Sequence, residues 1–317
     1  MRKVTVMGLY LKKEDSFGED DGGTSYGNLL GYPGIRARKL LEEEGFVFFS
    51  EAELSPEKAD IVFCIDLTPA LLERIKGVPK NVRKILQACE SPIYNLLAHQ
   101  ARVLMHPCWD VILTWNRSFE APYVIHYDLP VAGKNASSSG ISAGRAIPED
   151  SGDCLGVVVS SFKKGDHRGV APERDDLYRL LAKRGWIDLY GKGWPVSESE
   201  HCFGPAGDKL TVIAGHPFAL VIENCWAPGY VTEKLPDCIL AGVPVIYRGD
   251  FPTAERRYPG TFVPLEELSE KNFLDARRQL FDNYAAYREN VLAARENSDI
   301  WCDSYLEAVR QAFLRVL

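Results

Sequence analysis

Three sets of residues have types and spacings that suit chemistry. In the first, Glu223-Asn224 is followed closely by Tyr230, Thr232, Glu233 and Lys234. A lysine beside the start of a helix suits a diphosphate, and a nearby glutamate or asparagine suits sugar or ribose hydroxyls. The second is Glu90, placed just past an apolar run and followed by Ser91-Pro92. Pro92 disfavours helix at Ser91 and so favours a turn directly after Glu90. A single carboxylate so placed can take a proton from a hydroxyl, although most glutamates are solvated surface groups. The third is Arg174, in the first turn of a predicted helix, where a cation opposes the helix dipole. Such an arginine is either a surface residue or one with an external anionic partner.

The elements that must position these residues are legible as apolar runs. Phe218 to Ile222 reads as a buried strand, and Val243 to Tyr247 as the next. Between them Pro228-Gly229 signals a turn and Thr232 is the expected helix N-cap. Leu235, Ile239 and Leu240 give that helix an apolar face, and Gly242 is placed to end it. Ligands of open parallel sheets bind at the carboxyl ends of strands, where Glu223 and Asn224 fall.

Earlier in the chain, strands are expected at Val4 to Leu9, Phe46 to Phe49, Ile61 to Ile65, Val82 to Cys89 and Val111 to Trp115. Helices are expected at Ile35 to Glu44, at Thr68 to Lys76 with Thr68 as N-cap, and at 93 to 105. Later, Leu155 to Val159 reads as a strand ending at Ser160, and Pro172 to Lys183 as a helix. Tyr190 and Gly191 lie at another strand end. Leu268 to Asn297 and Ile300 to Val316 are predicted helices. Repeated strand and helix make the chain α/β, with doubly wound sheets.

The stretch 218 to 250 resembles the donor-binding motif of the α1,3/α1,4-fucosyltransferase family. Phe218, Glu223-Asn224, Tyr230 to Leu235 and Val243-Pro244-Val245 match its pattern, with Gly242 one residue closer to Pro244. Weaker similarity runs through Lys84-Ile85-Leu86, Glu90-Ser91-Pro92, Leu113-Thr114-Trp115, Arg174 with Leu177-Tyr178, and Ile187 to Gly193. The resemblance implies two Rossmann-like domains of the GT-B type facing across a cleft: an acceptor-side domain over 1–150 and a nucleotide-sugar domain over 151–298. A terminal helix over 299–317 is of the kind that such enzymes return to the first domain. It implies an inverting transfer of fucose from GDP-fucose to an N-acetylglucosamine or glucose unit of a glycan, with Glu90 as base. Arg174 and Lys234 would meet the diphosphate, and Glu233 and Asn224 would orient hydroxyls. Tyr230 would pack by the donor, with Ser160, Tyr190, Gly191, Glu223 and Thr232 completing the pocket. His216-Pro217 and Ala219 depart from the family pattern, which leaves a GT-B transferase of another nucleotide sugar, or a non-catalytic nucleotide- or glycan-binding protein, as alternatives.

Composition removes other classes. A net charge of -7 over 317 residues does not suit a general nucleic-acid binder. The apolar share of 46% is that of a protein with ordinary cores. The apolar runs are strand-sized, the start MRKVTVMGLYLKKED is not a signal peptide, and the eight cysteines include no C-x-x-C pair. A soluble cytoplasmic protein is expected. There is no D-x-D and no H-E-x-x-H, so no required metal is expected. Gly140 to Gly144 fits G-x-S-x-G but lacks the apolar strand that a nucleophile elbow needs. The acidic, glycine-rich stretch 16–28 reads as a loop.

Overall fold

The computed structural model describes residues 1–8, 32–131, 155–163 and 165–317. The stretch 16–28, the G-x-S-x-G segment and the expected 150/151 boundary lie outside the described residues. The chain divides into two compact units. One comprises Met1–Ser137, Ala227–Gly229 and Ile300–Leu317, the other Ser138–Trp226 and Tyr230–Asp299.

The first unit carries strands β1 (Arg2–Gly8), β2 (Phe46–Phe49), β3 (Ile61–Ile65), β4 (Arg83–Ala88), β5 (Val111–Thr114) and β6 (Val124–His126). They pair in the order β2-β1-β3-β4-β5-β6, all parallel. The second unit carries β7 (Gly156–Val159), β8 (Ile187–Tyr190), β9 (Cys202–Phe203), β10 (Ala219–Ile222), β11 (Val245–Arg248) and β12 (Phe262–Pro264). Their order is β12-β11-β10-β7-β8-β9, again all parallel. The strands are short, and the inner ones, β3, β4, β5, β10 and β11, are largely buried because parallel sheets are covered on both faces, which is why they read as apolar runs; the edge strands β6 and β9 are more exposed. Two six-stranded parallel sheets with helices make this an α/β chain of the GT-B type.

The helices are α1 (Tyr32–Glu43), α2 (Pro69–Gly77), α3 (Ala101–Leu104), α4 (Ala171–Lys183), α5 (Lys209–Ala214), α6 (Lys234–Leu240), α7 (Phe251–Arg257), α8 (Glu270–Asp282), α9 (Tyr284–Glu296) and α10 (Asp303–Arg315). Thr68 caps α2 as expected, its hydroxyl accepting from Leu71 N at 3.1 Å. Several expectations need correction. The segment 93–105 is a 3₁₀ turn, Leu96–His99, followed by the four-residue α3, because Gln100 takes an extended conformation between them. The long helix over 268–297 is two helices, broken where Asn283 leaves helical geometry at φ -126°, ψ 22°. Strand β9 and helices α5 and α7 are too short to stand out in the sequence.

The core of the second unit gathers Val158, Leu177, Phe218, Leu220, Ile246 and Phe273 between sheet and helices. Gly156 is needed there, since a methyl group on it would overlap the Phe218 ring. In the first unit α10 covers the sheet. Phe313 meets the rings of Phe46 and Phe63 edge-on at 5.2 and 5.3 Å, and Tyr305 meets Tyr127 at 5.4 Å. Trp109 and Trp115 are core residues.

Truncating Phe313 to alanine removes a fully buried ring shared by three elements, and is expected to cost the first unit about 3–5 kcal/mol in denaturant unfolding. Leu317→Ala, at an exposed position, is expected to stay within about 0.5 kcal/mol of wild type.

Candidate functional site

Because the second sheet is parallel, the residues that follow its strands share one edge. Ser160 follows β7, Gly191 follows β8 and Glu223 follows β10. Gly191 has φ 147°, and a Cβ there would run into the Ser160 carbonyl, so the two strand ends meet through bare backbone. Ser160 also takes the Trp194 indole N–H on its carbonyl. Tyr190 stacks on Phe203 at 4.8 Å.

Glu223 is fully buried, and the chain returns to satisfy it. Its carboxylate accepts from Thr232 N at 2.8 Å, from Thr232 Oγ1 at 2.8 Å and from Lys234 Nζ at 3.0 Å. The Thr232 hydroxyl donates to Glu223 and in turn accepts from Lys234 Nζ at 2.8 Å. Burial opposes the charge on Lys234, but Glu223 and Glu233 outweigh it and hold the ammonium well above its ordinary range. Burial likewise opposes ionisation of Glu233, and Lys234 and Lys209 overcome it, so this carboxyl sits below its usual range. Two expectations change here. Thr232 is not the helix N-cap: α6 starts at Lys234 behind Glu233, and the Thr232 hydroxyl is committed to Glu223. Glu223 itself faces protein groups, so its part is to hold Lys234.

Arg174 is buried in the first turn of α4. Its Nε and Nη2 reach Asp175 Oδ1 at 3.0 and 2.9 Å, and Nη1 donates to Asn224 Oδ1 at 2.8 Å. The cation that opposes the helix dipole is compensated by the neighbouring carboxylate, and it ties α4 to the loop after β10. Burial pushes the Asp175 carboxyl up in spite of that arginine. Tyr230 is buried, and burial raises its phenol above the usual range.

Lys209 was not legible as a site residue. Its Nζ pairs with buried Asp237 at 2.6 Å, and burial keeps the Asp237 carboxyl above its usual range. Ser160, Lys209 and Lys234 line one small opening whose wall is otherwise mainly apolar, with Val159, Tyr178, Ile222 and Cys238. Two lysines and a serine at strand ends are therefore gathered around one opening, each lysine steadied by a buried carboxylate.

Glu90 belongs to the first unit and follows β4. Its N–H lies 3.2 and 3.3 Å from the two Asp66 oxygens, and its carbonyl accepts from His99 Nε2 at 2.6 Å. That bond places the imidazole proton on Nε2, and burial lowers the basicity of the ring. Asp66 follows β3, is buried, and also accepts from Cys89 N at 2.9 Å. Asp66 and His99 went unnoticed in the sequence, although Asp66 stands after an apolar strand just as Glu90 does. Among the described residues no group of three or more His, Cys, Asp and Glu could hold a metal ion, and no helix is long and apolar enough to cross a membrane.

Replacing Glu223 by alanine would remove the hydrogen-bonded counter-charge of buried Lys234 and leave only Glu233 at 3.9 Å, and is expected to cost about 3–5 kcal/mol in unfolding free energy. For Asp66, burial lifts the carboxyl from 3.8 to about 6. The folded chain then binds this proton more tightly than the unfolded one. The group's contribution to stability is therefore highest below pH 4, falls as pH rises, and carries its full cost above pH 6. Unfolding free energies of wild type minus Asp66→Asn, measured from pH 4 to 7, should fall by about 2 kcal/mol across that window. A flat difference would show that Asp66 does not titrate there.

No protein-family model matches the sequence, and no curated protein matches it. Solved structures do resemble it in fold. A crystal structure of an α1,3-fucosyltransferase aligns with a TM-score of 0.60 at 14% identity, covering 99% of this chain and 89% of that one. The same kind of enzyme with GDP-fucose aligns at 0.56 and 15% identity, covering 99% and 90%. Anabaena HepE in complex with UDP-glucose aligns at 0.57 and 11% identity, covering 99% of each chain.

Proposed function

We propose that this chain is an inverting glycosyltransferase that moves fucose from GDP-fucose to a hydroxyl of an N-acetylglucosamine or glucose unit of a glycan. The observation that carries this reading is the cation network at the edge of the second sheet. Lys234, held by Glu223, lines an opening with Ser160 and Lys209, and Arg174 is held by Asp175 and by Asn224, which follows Glu223 at the end of β10. An ammonium has three N–H donors, of which Lys234 commits two, to Glu223 and Thr232, with Glu233 Oε1 at 3.9 Å; in this reading the third goes to a phosphate oxygen. Asn224 gives its carbonyl to Arg174 and keeps its amide N–H groups for a sugar or ribose hydroxyl, alongside Glu233. The similarity in fold to solved structures holding GDP-fucose or UDP-glucose supports a nucleotide-sugar donor, and the choice of GDP-fucose rests on the motif resemblance over 218–250.

In the proposed step the Glu90 carboxylate takes the proton of the acceptor hydroxyl. The hydroxyl oxygen attacks the anomeric carbon as its bond to the diphosphate oxygen breaks on the opposite face, so the configuration inverts and GDP leaves. Lys234 and Arg174 stabilise the negative charge that grows on the leaving diphosphate. No metal is required in this scheme. A different nucleotide sugar is favoured by one local feature. At the foot of β10, where the family pattern has an aromatic-basic pair, His216 is bound to Asp188 at 3.0 Å and to the Val212 carbonyl at 2.8 Å, and Pro217 follows it.

A thermal-shift panel with GDP, GDP-fucose, GDP-mannose, UDP and UDP-GlcNAc tests the donor. A ligand at a hundred times its Kd stabilises the folded chain by about 2.7 kcal/mol, so GDP and GDP-fucose should shift the transition and the UDP compounds should not. A shift with UDP compounds alone would replace the donor, and no shift with any nucleotide would sink the transferase reading. Lys234→Ala is expected to raise the Kd for GDP by about tenfold or more, the loss of one charge-assisted hydrogen bond. Glu90→Gln should slow transfer by about 10² to 10⁴ while GDP still binds; full transfer by that variant would remove Glu90 as the base.

A further inference from the structure

We infer that Asp66 is a positioning residue for this reaction: its buried carboxylate, closed on the backbone N–H groups of Cys89 and Glu90, fixes the strand end from which the Glu90 carboxyl meets the acceptor hydroxyl. This inference rests on Glu90 acting as the base. Asp66 has φ 57°, and among the described residues it is the one residue other than glycine with positive φ. That conformation costs energy and persists where the surroundings over-determine it. Here they do. Asp66 N donates to the Gln87 carbonyl at 2.8 Å, and Cys64 Sγ donates to the Asp66 carbonyl at 3.3 Å. The backbone twist turns the carboxylate across to the neighbouring strand, where Oδ1 takes Cys89 N at 2.9 Å and Oδ1 and Oδ2 share Glu90 N.

The same peptide is held from its other side. Trp115 Nε1 donates to the Cys89 carbonyl at 2.8 Å, and His99 Nε2 to the Glu90 carbonyl at 2.6 Å. Both carbonyls and both N–H groups of residues 89 and 90 are thus engaged. Strand pairing alone would not need a carboxylate buried at this place, since β3 and β4 are already registered through Ile65 and Gln87. Nor can Asp66 be the base, because only 1% of its surface is exposed and both its oxygens are committed to backbone. What remains for it is to hold the path of residues 89–90, on which the half-buried Glu90 side chain depends.

The test compares the full chain with Asp66→Asn and Asp66→Gly. Glycine adopts the left-handed backbone without strain, so the second variant keeps the turn and loses only the carboxylate. Amide hydrogen exchange at Cys89 and Glu90 is measured together with kcat and KM for GDP-fucose turnover and the Kd for GDP. The expected result is exchange at both amides faster by about tenfold, and kcat lower by about ten- to a hundredfold, with KM and the GDP Kd within about twofold of wild type. Unchanged exchange at the two amides would overturn the clamp. Faster exchange with kcat within about twofold of wild type, or a loss of GDP affinity as large as the loss of kcat, would overturn the positioning role. Glu90→Gln keeps the two ideas apart: if that variant retains turnover, the base assignment fails, while exchange at Cys89 and Glu90 still decides the clamp.

Discussion

Glu223 is a carboxylate with no access to water, and the edge of the second sheet is arranged to satisfy it. An ion in that position is tolerable only when paired and fully hydrogen-bonded. The chain meets the requirement by bringing Thr232 and Lys234 back over the end of β10, so one constraint sets the path of the polar loop, the start of α6 and the place of the lysine. The helix then runs only as far as Leu240, and Gly242, at φ 74°, turns the chain into β11. The strand–loop–helix–strand unit is therefore closed around a charge.

The other cations of this edge follow the same rule. Arg174 is paired with Asp175 and Lys209 with Asp237. Each positive group comes with its own carboxylate, so the site is already neutralised internally and its donors are fixed in place. Such an arrangement suits a ligand whose charge grows during a reaction, because oriented groups need no reorganisation at that moment. It also explains a buried arginine at a helix start, where the dipole argument alone finds it out of place.

The first unit uses a buried carboxylate differently. Asp66 is spent on backbone rather than on a cation, and burial raises its pKa toward neutral pH. The two sheets share an architecture, with charged and polar side chains at the carboxyl ends of parallel strands. They differ in what is held: cations in one, the backbone beneath a carboxylate in the other.

By itself the sequence determined the α/β class, most of the strands and the polar cluster after residue 222. Buried parallel strands are unbroken apolar runs, and Glu223 to Lys234 interrupt such a run with charge. It also showed Thr68 as a cap, because that signal is local. Tertiary structure decided what the charged residues face. Glu223 reads as a ligand-binding glutamate in one dimension and is an internal anchor in three, since its partners lie nine and eleven residues away. Thr232 loses its expected cap role to that same anchor. Lys209 and Asp66 stayed hidden because a pair 28 residues apart, or a carboxylate meeting N–H groups 23 and 24 residues on, leaves no trace in local pattern. Spacing along a chain reports which side of an element a residue takes. Whether a charge there meets solvent, ligand or another charge depends on what the rest of the fold brings alongside.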